Sequence, residues 1–292
     1  MSNPKTLLVT GASSGIGKAT ARLFAEHGWN VVATMRKPEA SEPLGPPERV
    51  WTTRLDVQDR DSIAAAVSGG LERFGSIDAL VNNAGYGLYG LFETIPREKI
   101  LEQFEVNVFG VMELTRALLP HFRQSGGGTI VNVSSGAGMF TLPMLSLYCA
   151  SKFALEGFTE ALAYEAASQN VAVKLVIPHG GVSSTRFGER SAQEAQEQVG
   201  EQDSSNEAIQ RDYAAFVDAT NASFAAMRSE ISMSSLDVAR VIFEAVTDGK
   251  DQLRYLVGGD ERGFVKARRE FTERDYVAFM RSRFPTPKRE RS

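Results

Sequence analysis

The sequence predicts an α/β fold in which one doubly wound parallel sheet of about seven strands carries helices on both faces. Two observations lead to this prediction. Short apolar, β-branched runs alternate with segments whose apolar residues recur at helical spacing, and the alternation continues along most of the chain. Strands that alternate with helices are joined by right-handed crossovers, so the sheet is parallel and buried on both sides.

The first strand–helix pair shows the pattern most clearly. KTLLVT is a short apolar run, and the following GIGKATARLFAEHG places Ile16, Ala19, Leu23 and Phe24 on one helical face. The remaining elements follow the same rule. Strands are predicted at 5–10, 31–35, 50–57, 77–82, 129–134, 171–177 and 253–257, and helices at 15–28, up to about 75, 97–122, 147–167 and 235–247.

Two segments interrupt the alternation. PEASEPLGPPER (38–49) is a proline-rich loop, and a Glu/Gln/Ala-rich stretch at about 183–233 is predicted to be a lid-like insertion. We find no linker that divides the chain, so we expect a single domain over residues 1–284. We expect the last residues, 285–292, to form a flexible tail.

Composition limits the function classes. The 292 residues are 42% hydrophobic and 23% charged, which is globular usage with material for a core. The formal net charge of −4 is spread along the chain, which argues against nucleic-acid or anionic-membrane partners. Cys149 is the single cysteine, and no apolar run approaches the length of a membrane span. We therefore expect a cytoplasmic protein that binds a small molecule.

A glycine-rich segment, TGASSGIG (10–17), stands where the first strand passes into the first helix. Backbone N–H groups and the positive end of the helix converge there, which suits a phosphate. The spacing of Gly11, Gly15 and Gly17 differs from the common G-x-G-x-x-G, but the same mechanics apply. A tight connection without a ligand is the alternative.

The end of the second strand indicates which dinucleotide is preferred. Folds that bind NAD usually place an acidic residue there to hold the ribose 2′-hydroxyl, whereas this chain has Arg36 and Lys37. An arginine supplies a bidentate partner for a 2′-phosphate. NADP(H) is therefore favoured over NAD(H), although an exposed pair in a loop would have the same sequence.

Five motifs occur in a fixed order: TGASSGIG, NNAG (82–85), Asn107, VNVSS (131–135) and YCASK (148–152). Together they resemble the short-chain dehydrogenase/reductase family from residue 10 to about 185. The resemblance implies a Rossmann fold, usually a homodimer or homotetramer, that transfers hydride between a nicotinamide and a carbonyl or alcohol. The cofactor-binding residues predicted are Gly11, Ser13, Ser14, Gly15, Ile16, Gly17, Arg36, Asp56, Val57, Asn83, Ala84, Gly85, Tyr148, Lys152, Gly181, Val182 and Ser184.

The predicted catalytic residues are Asn107, Ser135, Tyr148 and Lys152. Tyr148 and Lys152 are four positions apart on a helix and share a face. An ammonium about 5 Å away is worth roughly 3 kcal/mol at an effective dielectric of about 20. We therefore expect Lys152 to lower the pKa of the Tyr148 phenol, which would then act as general acid/base. Without context, an ordinary surface pair would show the same spacing.

The resemblance supplies the remaining roles. It implies that Lys152 binds the nicotinamide ribose, and that Ser135, rather than Ser134, donates to the substrate oxygen. It also implies that the main-chain carbonyl of Asn107 holds a water that connects Lys152 to solvent. Asn107 as a satisfied core amide and Asp56 as an ordinary strand-end turn remain alternatives.

After the sixth strand the chain departs from the family pattern. PHGGVSSTRF (178–187) has His179 where proline is usual and Ser184 where threonine is usual. The contact to the nicotinamide carboxamide is thus open between Ser184, the adjacent Thr185 and the backbone of Gly181 and Val182. We do not expect His179 to be an additional acid/base group, and we expect no catalytic metal.

The substrate is the least constrained part of the prediction. GYGLYG (85–90), GAGMFTLPMLSL (136–147) and the start of the insertion would build an apolar pocket, although core packing also explains Met139, Phe140 and Leu142. We expect a hydrophobic ketone, aldehyde or secondary alcohol. A cofactor-bound scaffold protein and a non-redox lyase or epimerase are the alternatives from other classes. Helices at 100–122 and 148–167 are the expected oligomer interface.

Overall fold

Seven strands form one parallel sheet in the order β3-β2-β1-β4-β5-β6-β7 in the computed structural model, which describes residues 4–182, 204–228 and 233–287. The doubly wound fold is thereby confirmed. The strand order reverses between β1 and β4, and that switch point opens a crevice at the carboxyl ends of the strands. The strands are β1 Thr6–Thr10, β2 Asn30–Met35, β3 Val50–Arg54, β4 Ala79–Asn82, β5 Gly128–Val133, β6 Val171–Pro178 and β7 Arg254–Val257.

Helices cover both faces of this sheet. They are α1 Gly15–Glu26, α2 Arg60–Phe74, α3 Arg97–Phe104, α4 Gly110–Gln124, α5 Ser146–Ala167, α6 Ser204–Arg228, α7 Ser235–Thr247, α8 Phe264–Glu270 and α9 Glu273–Arg283. On one face, Phe24 of α1 and Ile242 of α7 pack against the sheet. On the other face, Ile63, Leu114 and Leu162 come from α2, α4 and α5. The strands between these layers are apolar because both of their sides are buried.

The helix predicted at 97–122 is not continuous. A π-helical turn, Glu105–Phe109, separates α3 from α4 and contains Asn107. A π turn accommodates one extra residue without breaking the helix, and such turns are frequent at functional sites. Apolar spacing alone cannot reveal it, because the helix continues in the same direction on either side.

The sequence analysis missed two C-terminal helices, α8 and α9. Both are short and rich in charge, so they lack the apolar periodicity on which the prediction depended. Their ends are held by specific hydrogen bonds instead. Asp260 accepts from the N–H groups of Val265 and Lys266, and Thr272 caps α9 by accepting from the N–H of Asp275.

An aromatic cluster joins these helices to the insertion. Phe264 of α8 and Phe284 after α9 pack with Phe140 from the loop that follows β5, and Phe224 of α6 contacts Phe284. Phe140 is buried, as core packing would require. The part of the insertion that the structure describes is therefore a helix docked over the loops at the carboxyl edge of the sheet. Within the described ranges, every helix is too short or too polar to cross a membrane.

Candidate active site

The glycine-rich loop is fastened to the sheet by the NNAG segment. The Thr10 hydroxyl accepts hydrogen bonds from the N–H groups of Asn83 and Ala84, both at 3.0 Å. The Asn83 side-chain amide donates to the Thr10 carbonyl at 2.9 Å. Gly11 follows Thr10 directly and has a φ of +68°, in the left-handed region that favours glycine. NNAG therefore holds the loop in the conformation that exposes its backbone.

The backbone of the glycine loop packs so closely against its neighbours that two of its glycines have no room for a Cβ. A Cβ on Gly11 would lie 3.0 Å from the Asn83 amide nitrogen, and one on Gly17 would overlap the Gly11 carbonyl. Ser14 precedes α1, and its side chain does not cap the helix. The first N–H groups of α1 therefore remain available to an anion. Ser13 is exposed beside them, and Ile16 packs partly into the core.

The adenosine end of the predicted site lies after β2 and β3. Arg36 follows the last residue of β2, and its side chain is exposed. Asp56 forms a turn after β3, in which its Oδ1 accepts from the Gln58 N–H at 3.2 Å. Val57 is buried and packs against Gly110 at the start of α4. Asp56 therefore forms the strand-end turn that was the alternative, and its contact to the cofactor stays a prediction.

Tyr148 and Lys152 lie on the same face of α5, as predicted, and both are buried. The Lys152 ammonium nitrogen is 5.9 Å from the centre of the Tyr148 ring and donates to the Val133 carbonyl at 3.0 Å. The Ser135 hydroxyl hydrogen-bonds the Tyr148 phenol. Ser135, Tyr148 and Lys152 are therefore brought together where β5 ends.

The expected lowering of the pKa of Tyr148 by Lys152 is not found. Burial raises the pKa of the Tyr148 phenol to about 12, and the hydrogen bond from Ser135 offsets only part of this effect. Burial also lowers the pKa of Lys152 to about 8, with Glu156 opposing the change. Attraction between the two charges favours the phenolate, but the cost of removing both groups from water is larger.

Asn107 connects the π turn to the loop after β4. Its side-chain oxygen accepts from the Tyr86 N–H at 3.1 Å, and its amide nitrogen donates to the Tyr86 carbonyl at 2.9 Å and to Ser151 at 3.1 Å. A Cβ on Gly85 would lie 3.0 Å from the Asn107 oxygen and 3.8 Å from the Lys152 nitrogen. Asn107 is a satisfied core amide that also borders the ammonium. Its water-binding carbonyl stays a prediction.

The two serines at the end of β5 point to different partners. Ser134 is buried and donates to the Glu156 carboxylate at 2.9 Å, whereas Ser135 is half-buried and faces Tyr148. This geometry agrees with the choice of Ser135. The sequence analysis overlooked Glu156, whose signal was a carboxylate in the apolar FALEGF run, one helical turn after Lys152.

The segment after β6 is only partly described. Gly181 accepts from the Met233 N–H at 3.2 Å, and Val182 forms a parallel bridge with Met233. Ser184 and Thr185 lie outside the described residues. His179 is buried against Gly136, and burial lowers the pKa of its imidazole.

Comparisons with known proteins agree with the fold and with the family resemblance. The family model described as short chain dehydrogenase matches residues 5–196. A 3-ketodihydrosphingosine reductase of Bacteroides thetaiotaomicron is 41% identical over 175 residues, which are 60% of this chain and 63% of that protein. The chain thus aligns with less than two thirds of that relative's length.

Two further matches cover a larger share of the related protein. A 3-oxoacyl-[acyl-carrier-protein] reductase of Thermotoga maritima is 37% identical over 198 residues, which are 66% of this chain and 80% of that protein. The crystal structure of a short-chain dehydrogenase from Streptomyces avermitilis superposes with a TM-score of 0.73 at 30% identity. It covers 97% of this chain and 98% of that one.

Proposed function

The chain belongs to the short chain dehydrogenases, oxidoreductases that use a nicotinamide cofactor, and from this premise we propose that it is an NADP(H)-dependent reductase of hydrophobic ketones or aldehydes. The observation that carries the proposal is the convergence of Ser135, Tyr148 and Lys152 at the end of β5. Catalysis of carbonyl reduction needs a proton donor and a donor to the growing alkoxide, and these residues provide both.

The preference for NADP(H) is supported by charge at the end of β2. Arg36 is exposed and forms no ion pair with the part of the chain that the structure describes. Its guanidinium is therefore available to bind the 2′-phosphate of NADP(H). The bound cofactor would supply the hydride. The backbone N–H groups of the glycine loop and of the first turn of α1 would hold its pyrophosphate, and Lys152 would bind the nicotinamide ribose.

The proton chemistry favours reduction. A phenol whose pKa is raised to about 12 keeps its proton at neutral pH and can give it to an alkoxide, which is a stronger base. Ser135 would hold the substrate oxygen and Tyr148 would donate the proton. The Lys152 ammonium would then stabilise the phenolate left behind. A neutral lysine could not do so, so the protonation of Lys152 is essential to this mechanism.

Apolar side chains around Tyr148 support a hydrophobic substrate. Leu145 packs against Tyr148, and Tyr89 reaches Met144 from the loop after β4. Tyr89 also donates to Asn221 of α6 at 2.7 Å, so α6 would form part of the wall on this side of the proposed pocket. The names of the two similar reductases both specify a keto or oxo substrate, which supports a ketone here.

A panel of ketones with NADPH tests the proposal, with turnover followed by the loss of NADPH absorbance. Tyr148→Phe removes the proton donor and should lower kcat at least about 100-fold while NADPH still binds. Tyr164→Phe is the matched control, because Tyr164 lies on the same helix but is exposed, and its activity should not change. No turnover by the unaltered chain on a broad panel would instead support the scaffold alternative.

A homodimer or homotetramer is proposed through one apolar surface. Leu101, Phe109 and Phe153 are exposed on α3, the π turn and α5. A second copy of this chain would cover them, since these are the helices that the sequence analysis assigned to the interface. Light scattering should give the mass of at least two chains, and Phe109→Ser with Phe153→Ser should give one.

A further inference from the structure

Three successive turns of α5 each place one side chain against a residue at the end of β5. Tyr148, Lys152 and Glu156 are spaced by four positions and therefore lie on one face of the helix. Tyr148 bonds Ser135, Lys152 donates to the Val133 carbonyl, and Glu156 accepts from Ser134. The proposed mechanism uses the first two of these turns. The third contributes a buried carboxylate that has no role in it.

Glu156 is held in place from several sides. Its Oε1 accepts from the Ser134 hydroxyl at 2.9 Å, and its Oε2 lies 3.4 Å from Nε of Arg254 on β7. Arg254 also pairs with Glu160 at 2.6 Å. A Cβ on Gly138 would press on the Glu156 carboxylate and on Ser134, so the turn after Ser135 is packed directly against this acid.

The charge of Glu156 is the one that can hold Lys152 protonated. Within the described residues, Lys152 faces the Tyr148 phenol and Glu156 on its own helix, the neutral Asn107 amide from the π turn, and the Gly85 backbone. From β5 it meets a carbonyl. Burial opposes the charged form of Lys152, and among these neighbours Glu156 supplies the negative charge that counters it.

We propose that Glu156 is a positioning residue of the reaction, a buried counter-charge that keeps Lys152 an ammonium and fixes the Ser134–Gly138 turn that carries Ser135. The proposal rests on the proposed function, because an ammonium at Lys152 matters only if Tyr148 must become a phenolate. Glu156 acts through its neighbours, since its two oxygens are occupied by Ser134 and Arg254.

The direct test compares Glu156→Gln with Glu160→Gln. Both changes remove a carboxylate from Arg254, but Glu160 is only partly buried and belongs to the next helical turn. The pKa of Lys152 should fall in Glu156→Gln, so kcat should be lost on the alkaline side at a pH about one unit lower than in the unaltered chain. Glu160→Gln should leave the alkaline side of the pH profile of kcat, its alkaline limb, unchanged. Equal profiles for the two variants would overturn the proposal.

Glu156→Asp and Arg254→Gln complete the series. Glu156→Asp keeps the charge and should return the alkaline loss of kcat to the pH seen in the unaltered chain. A purely steric role of Glu156 would not require this return. Arg254→Gln removes the cation that competes for Glu156, so the limb should move to higher pH. If Glu156→Gln does not fold, the direction of the Arg254→Gln shift decides, and an unchanged or lower limb contradicts the proposal.

A titration of Lys152 itself separates this proposal from the proposed function. Lysine Cε carbons are labelled with carbon-13 and the Lys152 signal is assigned with Lys152→Arg. The midpoint of that signal in the chain without substrate should fall in Glu156→Gln and not in Glu160→Gln. Absence of turnover by the unaltered chain refutes the proposed function only, whereas an unmoved Lys152 midpoint refutes the role of Glu156.

Discussion

Replacing Gly11 by alanine should weaken both the fold and cofactor binding, because two separate costs meet at this position. Gly11 has a φ of +68°, where an L residue with a Cβ is strained. The added Cβ would also lie 3.0 Å from the Asn83 amide nitrogen and 3.1 Å from the Ala84 Cα. The Asn83 amide donates to the Thr10 carbonyl, so a shift of Asn83 that relieves this contact would disturb the hydrogen bond that fastens the loop to the sheet.

The two costs can be estimated separately. The left-handed backbone costs alanine about 1 kcal/mol, and crowding that displaces the Asn83 hydrogen bond adds about 1–2 kcal/mol. Unfolding entropy of about 2.1 cal/mol/K per residue, over 292 residues, then converts a total of about 2.5 kcal/mol into a fall of about 4 °C in Tm. The Kd for NADPH should rise at least about tenfold, since the loop backbone no longer fits the pyrophosphate.

Gly75→Ala is the matched control. Gly75 has a φ of +81° at the end of α2, but nothing lies within 4 Å of the position its Cβ would take. It should therefore lose only the backbone part, about 1 kcal/mol, and bind NADPH unchanged. Differential scanning fluorimetry and cofactor fluorescence measure the two quantities. Equal losses of Tm in the two variants, with unchanged NADPH binding, would refute the assignment of this loop.

Four further outcomes are expected. Arg36→Ala should raise the Kd for NADPH at least about tenfold and leave that for NADH within about twofold, because only the 2′-phosphate loses a partner; parallel changes for both cofactors would contradict this. Ser135→Ala should lower kcat about 100-fold with NADPH affinity retained, as measured by fluorescence titration. Lys174→Met should reduce the free energy of unfolding by about 2 kcal/mol, because the buried Asp248 carboxylate loses its nearest cation, at 2.8 Å, and keeps the Tyr255 hydroxyl, the Lys250 N–H and the more distant Lys250 ammonium at 3.8 Å. Despite burial, these hydrogen bonds hold the pKa of Asp248 at about 2, so their stabilisation is complete above the ordinary pKa near 4 and is lost as pH falls toward 2 in urea titrations of the unaltered chain.

The parts of the site that sequence patterns predicted are those whose geometry is local. Tyr148 and Lys152 share a face because a helix repeats every 3.6 residues, and Ser135 follows the end of a strand that the apolar run already indicated. The interruption at Asn107 and the two C-terminal helices were not predicted. Their hydrogen bonds, to Tyr86 in the first case and to Asp260 in the second, join residues whose proximity the linear pattern does not express.

The sequence itself determined the order of the seven strands, the glycine loop, the cationic end of β2 and the spacing of Tyr148 and Lys152. Each of these depends on neighbours within one element or one turn. Tertiary structure alone decided the electrostatics. Burial set the pKa of the phenol and of the ammonium in directions that charge pairing by itself did not indicate, and folding placed Glu156 and Arg254 next to each other from positions 98 residues apart. Desolvation depends on everything packed around a group, and that environment exists only once the sheet and its helices have assembled.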